Sequence, residues 1–157
     1  MVAAIRVGKI WRNMEAFGLV CMYGFTAFDD IKTKQVRLFE ILAFGILGIA
    51  IELIYKHHSL MSILGGVGVG ALMLVFSIAS KEKIGKGDAF IVMVSGLYLG
   101  FVDTLSLLWI SSVYSLFAGI IIIRKYDNSI DYELPFVPFL LAGYLTLYGA
   151  HMLGGIA

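Results

Sequence analysis

Residues 60–88 read LMSILGGVGVGALMLVFSIASKEKIGKGD, an apolar run followed by a short lysine-rich segment that ends in Asp88. The run over residues 60–79 is long enough to cross the ~30 Å hydrocarbon core of a bilayer as a helix, because about 20 apolar residues suffice. The lysines that follow mark the return to water. The same alternation of apolar runs and charged segments repeats along the chain, and it predicts an all-α membrane protein.

Composition also places the chain in a lipid bilayer. Its 157 residues are 60% hydrophobic, with a mean hydropathy of +0.92, which is more apolar surface than a soluble domain of this size can bury. The net charge of +1 gives no reason to propose a nucleic-acid partner. The single cysteine, Cys21, excludes an intrachain disulfide framework and a multi-cysteine zinc site. We therefore expect one integral-membrane domain over residues 1–157.

The apolar runs predict a polytopic protein with about six transmembrane helices. We expect them over residues 14–28, 38–55, 60–79, 88 to an interruption near 103, 105–123, and 135 to the end. Segments 30–37, 80–88 and 124–134 together carry eight Lys and Arg residues, whereas the opposite loops carry only Lys56. The positive-inside rule places those three segments in the cytoplasm. Basic residues near the N-terminus favour the opposite orientation but are outnumbered: Arg6, Lys9 and Arg12.

Two acidic sites lie where apolar runs meet these basic segments. They are the pair Asp29-Asp30 and Asp88, and we expect both at the same membrane surface. Two carboxylates held together can share one proton and activate water. Gly85 and Gly87 allow backbone angles that other residues resist and leave the Asp88 carboxylate open to a substrate backbone. Taken alone, Asp88 also fits a helix N-cap and Asp30 a solvated loop residue.

The glycines inside the apolar runs have a packing interpretation. Gly66 and Gly70 show the small-residue spacing that lets helix backbones approach closely in lipid. Gly66, Gly68 and Ala71 also fit a dinucleotide-binding pattern, but no strand precedes them. We therefore assign Gly66 and Gly70 to helix packing.

Three segments in order resemble the type IV prepilin peptidase family, a group of GxGD membrane aspartyl proteases that includes short forms serving archaeal preflagellins and Tad-type pili. Residues 30–36 (DIKTKQV) are similar to the family's first aspartate motif. Residues 84–88 (IGKGD) are similar to its glycine-x-glycine-aspartate motif, and residues 96–100 (GLYLG) to the usual continuation. Residues 135–143 (PFVPFLLAG) resemble the proline-phenylalanine stretch that opens the last helices. Order and spacing match over about residues 14–145.

The resemblance implies an aspartic-type endopeptidase that cleaves the basic leader of a prepilin-like or preflagellin-like precursor at the cytoplasmic surface of the cell membrane. The implied catalytic residues are Asp30 and Asp88, and we expect substrate contacts from Gly85, Gly87, Pro135, Phe136 and Pro138. No metal or cofactor is implied, and His57, His58 and His151 are expected to share neither a side nor a ligand-like spacing. The cysteine-rich domain and methyltransferase half of larger members are absent, so we expect peptidase activity without N-methylation.

The chain departs from the family pattern at two places. Arg37-Leu38 stands where Pro-Asn or Pro-Asp is usual, and Phe90 stands where a Lys is frequent. Asp29 is the rival of Asp30, but the spacing to Val36 favours Asp30. Neighbouring helical residues also point about 100° apart, so only one can face Asp88.

Other acids are assigned no catalytic role. Asp103 is expected on the opposite side, in a short loop. Glu40 and Glu52, in the second helix, should face the bundle interior or water. An acidic patch in the third basic segment is interpreted as solvated loop, with attraction of a basic leader as the alternative: Asp127, Asp131 and Glu133.

Two other functional classes stay open. A small membrane transporter would also carry acids and flexible glycines, although the chain shows no inverted repeat. A non-catalytic, peptidase-like membrane subunit of a pilus or secretion system would keep the same motifs. The sequence does not determine the particular substrate or the oligomeric state.

Overall fold

The computed structural model describes residues 2–33, 36–55, 58–80, 85–125 and 134–154. Within these ranges the chain forms five α-helices and no strand. They are α1 (Val2–Thr33), α2 (Leu38–Tyr55), α3 (Leu60–Ala79), α4 (Lys86–Lys125) and α5 (Val137–Gly154). The predicted all-α fold is confirmed for this part of the chain.

The longest helix, α4, is interrupted at Gly100. This residue has φ 70° and ψ −170°, a conformation that glycine adopts without the steric cost of a side chain. The backbone N–H of the next residue, Phe101, donates instead to Ser62 Oγ of α3 at 3.1 Å. The interruption predicted near Asp103 therefore lies at Gly100, and the expectation of a loop at Asp103 is wrong because that residue is helical. The parts of α4 on either side of Gly100 correspond to the predicted fourth and fifth helices.

Glycines bring α3 and α4 into close backbone contact. A Cβ on Gly66 would lie 2.7 Å from the carbonyl oxygen of Gly96, and a Cβ on Gly70 would collide with the backbone of Met93. Of all helix pairs in the described chain, α3 and α4 make the most extensive contact. The predicted packing role of Gly66 and Gly70 is confirmed.

In the described part of the chain, two helices, α3 and α4, are long and apolar enough to cross a membrane. Their outer surfaces carry large apolar side chains: Leu72 is 61% exposed, Phe76 66% and Trp109 74%. Such surfaces are unfavourable in water and suit contact with lipid. The six crossings expected from the sequence remain a prediction.

Helices α1 and α2 hold the first part of α4 in place. The buried Tyr23 hydroxyl of α1 shares a 2.6 Å hydrogen bond with Ser95 Oγ of α4. The Tyr98 hydroxyl donates to the Phe44 carbonyl oxygen of α2 at 2.7 Å, and its ring occupies the space left by Gly48. These contacts fix the first part of α4, which carries Asp88.

We predict that Gly70→Ala destabilises the protein, because the new methyl group must push α3 away from the Met93 backbone. Overpacking of this kind costs about 1–3 kcal/mol. Thermal unfolding in detergent or proteoliposomes measures the effect. Gly68→Ala in the same helix is the matched control, since a Cβ there meets no described atom within 4 Å. Equal melting temperatures for the two variants would contradict the packing described for α3 and α4.

Candidate active site

The carboxylate of Asp30 lies near the end of α1 and is 7% exposed. Its Oδ2 accepts a hydrogen bond of 3.1 Å from the backbone N–H of Val137, the first residue of α5. The backbone of Phe136 also donates to this carboxylate. The first N–H groups of a helix have no acceptor within that helix. The carboxylate of Asp30, on α1, serves as the acceptor for those of α5.

Asp88 lies in the first turn of α4 and is half-buried. Its carboxyl group turns back toward Gly85, where an added Cβ would come within 2.9 Å of Oδ2. The helix begins at Lys86, so Asp88 lies inside the first turn rather than at the N-cap position. The missing side chain at the exposed Gly85 leaves space beside the carboxyl group.

The three segments singled out in the sequence meet at this end of the bundle. Gly87 lies against Val36, with 3.1 Å between an added Cβ and the valine Cβ. Asp30 and Asp88 are close enough for the charge of one to act on the other. The hydrogen bond from Val137 adds the third segment. Residues far apart in the chain therefore surround one pair of carboxyl groups.

The proline-phenylalanine segment starts α5 beside Asp30. The Phe136 carbonyl oxygen accepts hydrogen bonds from Phe139 at 3.0 Å and Leu140 at 3.2 Å, which closes the first turn. Pro138 has no N–H, but a residue in the first turn does not need one. The structure thus brings Phe136 next to Asp30 and leaves both Pro135 and Phe136 partly accessible. Whether they contact a substrate stays a prediction.

The two carboxyl groups have unequal surroundings. Asp30 lies near the C-terminal end of α1, and Asp88 lies in the first turn of α4. Burial raises the pKa of Asp88 to about 7, and the nearby charge of Asp30 adds to this rise. Burial also raises the pKa of Asp30, but the N–H donors of Val137 and Phe136 oppose that rise by stabilising the charged form. The arrangement favours an ionised Asp30 beside an Asp88 that keeps its proton up to about neutral pH, and the titration belongs to the pair.

Asp29, the rival of Asp30, makes a different contact. Its Oδ2 lies 3.1 Å from Nε of Arg37, and Nη1 of Arg37 lies 3.7 Å from Oε1 of Glu40. Asp29 therefore pairs with Arg37, the residue before α2, whereas Asp30 binds the start of α5. The geometry favours Asp30 as the partner of Asp88.

The other end of the bundle contains a separate cavity that several polar side chains help to line. It measures about 140 Å³, and its lining includes Glu15, His58, Tyr98, Asp103, Tyr144 and His151. Asp103 Oδ1 lies 3.8 Å from His151 Nε2, near the end of α5 opposite Asp30. The expectation that the histidines share no side is wrong for His58 and His151, because helix packing brings them to one cavity. Among the described residues, no three His, Cys, Asp or Glu side chains form a group that could hold a metal ion.

Several residues considered in the sequence lie outside the described ranges: Lys34, Gln35, Lys56, His57, Lys81, Lys83, Ile84, Asp127, Asp131 and Glu133. Sequence reasoning missed two features of the site. The donors to Asp30 are backbone N–H groups, which no pattern of side chains reveals. The only sequence signal near them is the Pro and Phe residues that precede α5. The contacts of Arg37 were also missed, although its position next to a motif was visible.

Pairs of carboxyl groups whose surroundings push their pKa values apart are typical of acid–base catalytic sites. The chain matches the type IV leader peptidase family over residues 17–123 of 157 and belongs to that family. The matched range includes Asp30 and Asp88. Comparison with curated proteins and with solved structures found no match. Family membership indicates a protease of the leader peptidase type with a prepilin-like substrate in general, and together with the two apolar helices it indicates a membrane protein.

We predict that Asp88 titrates near neutral pH and that Asp30→Asn moves its midpoint to lower pH. The amide keeps the shape of the side chain but removes the negative charge that disfavours ionisation of Asp88. Carbon-13 NMR of labelled aspartate carboxyls measures the midpoint, and Asp88→Asn assigns the signal. Asp103→Asn, at the opposite end of the bundle, should leave it unchanged. An Asp88 midpoint below about pH 5, close to that of a free carboxyl, would contradict the description of this pair.

Proposed function

We propose that this protein is a membrane-embedded aspartyl endopeptidase that cleaves the basic leader of a prepilin-like or preflagellin-like precursor. The observation that carries the proposal is the convergence of Asp30 and Asp88 from α1 and α4, with α5 donating to one of them only. Family membership supports the leader peptidase class. The aspartyl mechanism rests on the carboxyl pair.

The unequal surroundings assign a role to each carboxyl group. Asp30, ionised and held by the N–H of Val137, takes a proton from a water molecule as that water attacks the scissile carbonyl carbon. Asp88, protonated, donates a hydrogen bond to the carbonyl oxygen as negative charge develops there. Collapse of the tetrahedral intermediate breaks the C–N bond, and the proton taken up by Asp30 passes to the leaving amine. Asp88 keeps or regains its proton, so the pair returns to its starting state.

The segment before Asp88 suits an extended substrate backbone. Gly85 is exposed and Gly87 half-buried, and neither carries a side chain that would block approach to the carboxyl group. At the start of α5, Pro135, Phe136 and Pro138 are apolar and partly accessible. We propose that these five residues contact the substrate around the scissile bond.

The leader is proposed to reach the site from the cytoplasm. Five of the described basic residues lie at the end of the bundle that holds the carboxyl pair: Lys32, Arg37, Lys86, Arg124 and Lys125. Arg6, Lys9 and Arg12 lie in the N-terminal half of α1, away from Asp30, and are outnumbered. The positive-inside rule then gives a multi-pass protein whose active site faces the cytoplasm. In a Cys21→Ala background, labelling of Arg124→Cys by an impermeant reagent added from outside would contradict this orientation.

We predict that Asp30→Asn and Asp88→Asn each lower leader cleavage by about 10²–10⁴-fold without unfolding the protein, because an amide can neither accept nor donate the required proton. The assay follows conversion of a precursor with a short basic leader and an apolar helix, in membranes or proteoliposomes. Thermal unfolding of the same samples checks the fold.

The controls are the acids that lie elsewhere. Asp103→Asn should cleave at the wild-type rate, and Asp29→Asn should retain cleavage within a few-fold. Near-wild-type cleavage by either Asp30→Asn or Asp88→Asn would refute the assignment of the pair. Absence of cleavage by the unaltered protein with any such precursor would instead indicate a non-catalytic subunit.

A further inference from the structure

Arg37 joins two acidic side chains next to the carboxyl pair. Its Nε lies 3.1 Å from Asp29 Oδ2 and its Nη1 lies 3.7 Å from Glu40 Oε1. The two carboxylates are less exposed than the guanidinium group, with side-chain exposures of 16% and 26% against 71%. Both acids are thus partly withdrawn from water and depend more on the charge of Arg37 than exposed acids do.

The backbone around Arg37 is held in place by its neighbours. Its carbonyl oxygen accepts hydrogen bonds from the N–H groups of Glu40 at 3.1 Å and Ile41 at 3.4 Å, which start α2. The preceding residue, Val36, lies against Gly87, immediately before Asp88. The guanidinium group therefore bridges the end of α1 and the first turn of α2, next to the residue that lies against Gly87.

The positive charge of Arg37 matters because the carboxyl pair functions only when it carries a single negative charge. One ionised and one protonated carboxyl are needed, and like charges nearby disfavour ionisation. Asp29 is adjacent to Asp30 in the chain, and Glu40 lies within reach of the same guanidinium group. Without the charge of Arg37, Asp29 would be an uncompensated carboxylate beside Asp30 in the chain and would be free to turn toward the pair.

We propose that Arg37 is a positioning residue of the peptidase, which holds Asp29 against α2 and neutralises Asp29 and Glu40 so that only Asp30 works with Asp88. This inference rests on the proposed function. The chain has arginine here where the resemblance leads one to expect proline, so the role belongs to this sequence rather than to the general motif. Arg37 acts through Asp29 and does not contact the reacting atoms.

Kinetics of leader cleavage by single and paired variants test the role. Arg37→Gln keeps a long polar side chain but removes the charge, and it should lower kcat about tenfold, with KM within about twofold. Arg37→Lys keeps the charge and should stay within about threefold of the wild-type kcat. Adding Asp29→Asn to Arg37→Gln removes the uncompensated acid and should restore most of the lost kcat.

The matched control is Lys32→Ala. Lys32 is a cation in the last turn of α1 whose Nζ lies 4.1 Å from the centre of the Phe28 ring, and its loss should leave kcat unchanged. An Arg37→Gln enzyme with wild-type kcat overturns the proposal. So does an Arg37→Lys enzyme as impaired as Arg37→Gln, and so does a paired variant that recovers nothing, because each would mean that neutralising Asp29 is not what Arg37 does.

These outcomes are separate from a failure of the proposed function. If Asp30→Asn still cleaves the leader, the catalytic pair itself is wrong, whatever Arg37 does. If Asp30→Asn abolishes cleavage and Arg37→Gln does not impair it, the pair stands and only the positioning role is lost. Thermal unfolding of every variant separates a loss of fold from a loss of rate.

Discussion

The hydrogen bond from the Val137 N–H to the Asp30 carboxylate determines how the site is assembled. A buried carboxylate is costly unless its oxygens are satisfied, and the start of α5 supplies the donors. The same contact ties the end of α1 to the start of α5. The rings of Tyr23 and Tyr144, with centroids 5.7 Å apart, continue the contact between these two helices along the bundle. The proline-phenylalanine segment thus determines where α5 begins, and it also contributes an apolar surface.

The second carboxyl group depends on a different kind of contact. The position of Asp88 is set by α4. This helix contacts α3 directly through its backbone, because Gly66, Gly70 and Gly96 carry no side chains. The break at Gly100 ends this close packing and leaves an N–H that Ser62 satisfies. A rigid α4 beside a hydrogen-bonded α1 gives the pair a fixed geometry, which acid–base chemistry requires.

Much of this arrangement could be predicted from the sequence. The apolar runs gave the bounds of α2 and α3 correctly, because Arg37 and Ser59 lie where those runs begin. The apolar runs underestimated the length of α1, which continues as a helix through polar residues at both ends. They also predicted the break in α4 near Asp103, because an acidic residue interrupts an apolar run more visibly than one of many glycines does. The ordered motifs correctly anticipated that Asp30, Asp88 and the segment at Pro135 meet. The backbone donors to Asp30, the contacts of Arg37 and the shared cavity of His58 and His151 depend on helix packing, which a linear pattern does not encode.

The pH dependence of kcat/KM for leader cleavage tests the central claim most directly, because it reports the protonation states that the free enzyme needs. An ionised Asp30 and a protonated Asp88 predict a bell-shaped profile. Its upper limb should fall through about pH 7, where Asp88 loses its proton, and its lower limb, at more acidic pH, should reflect protonation of Asp30. A rate that stays level or rises from pH 7 to about 9 would contradict the account, since no protonated carboxyl would then be needed.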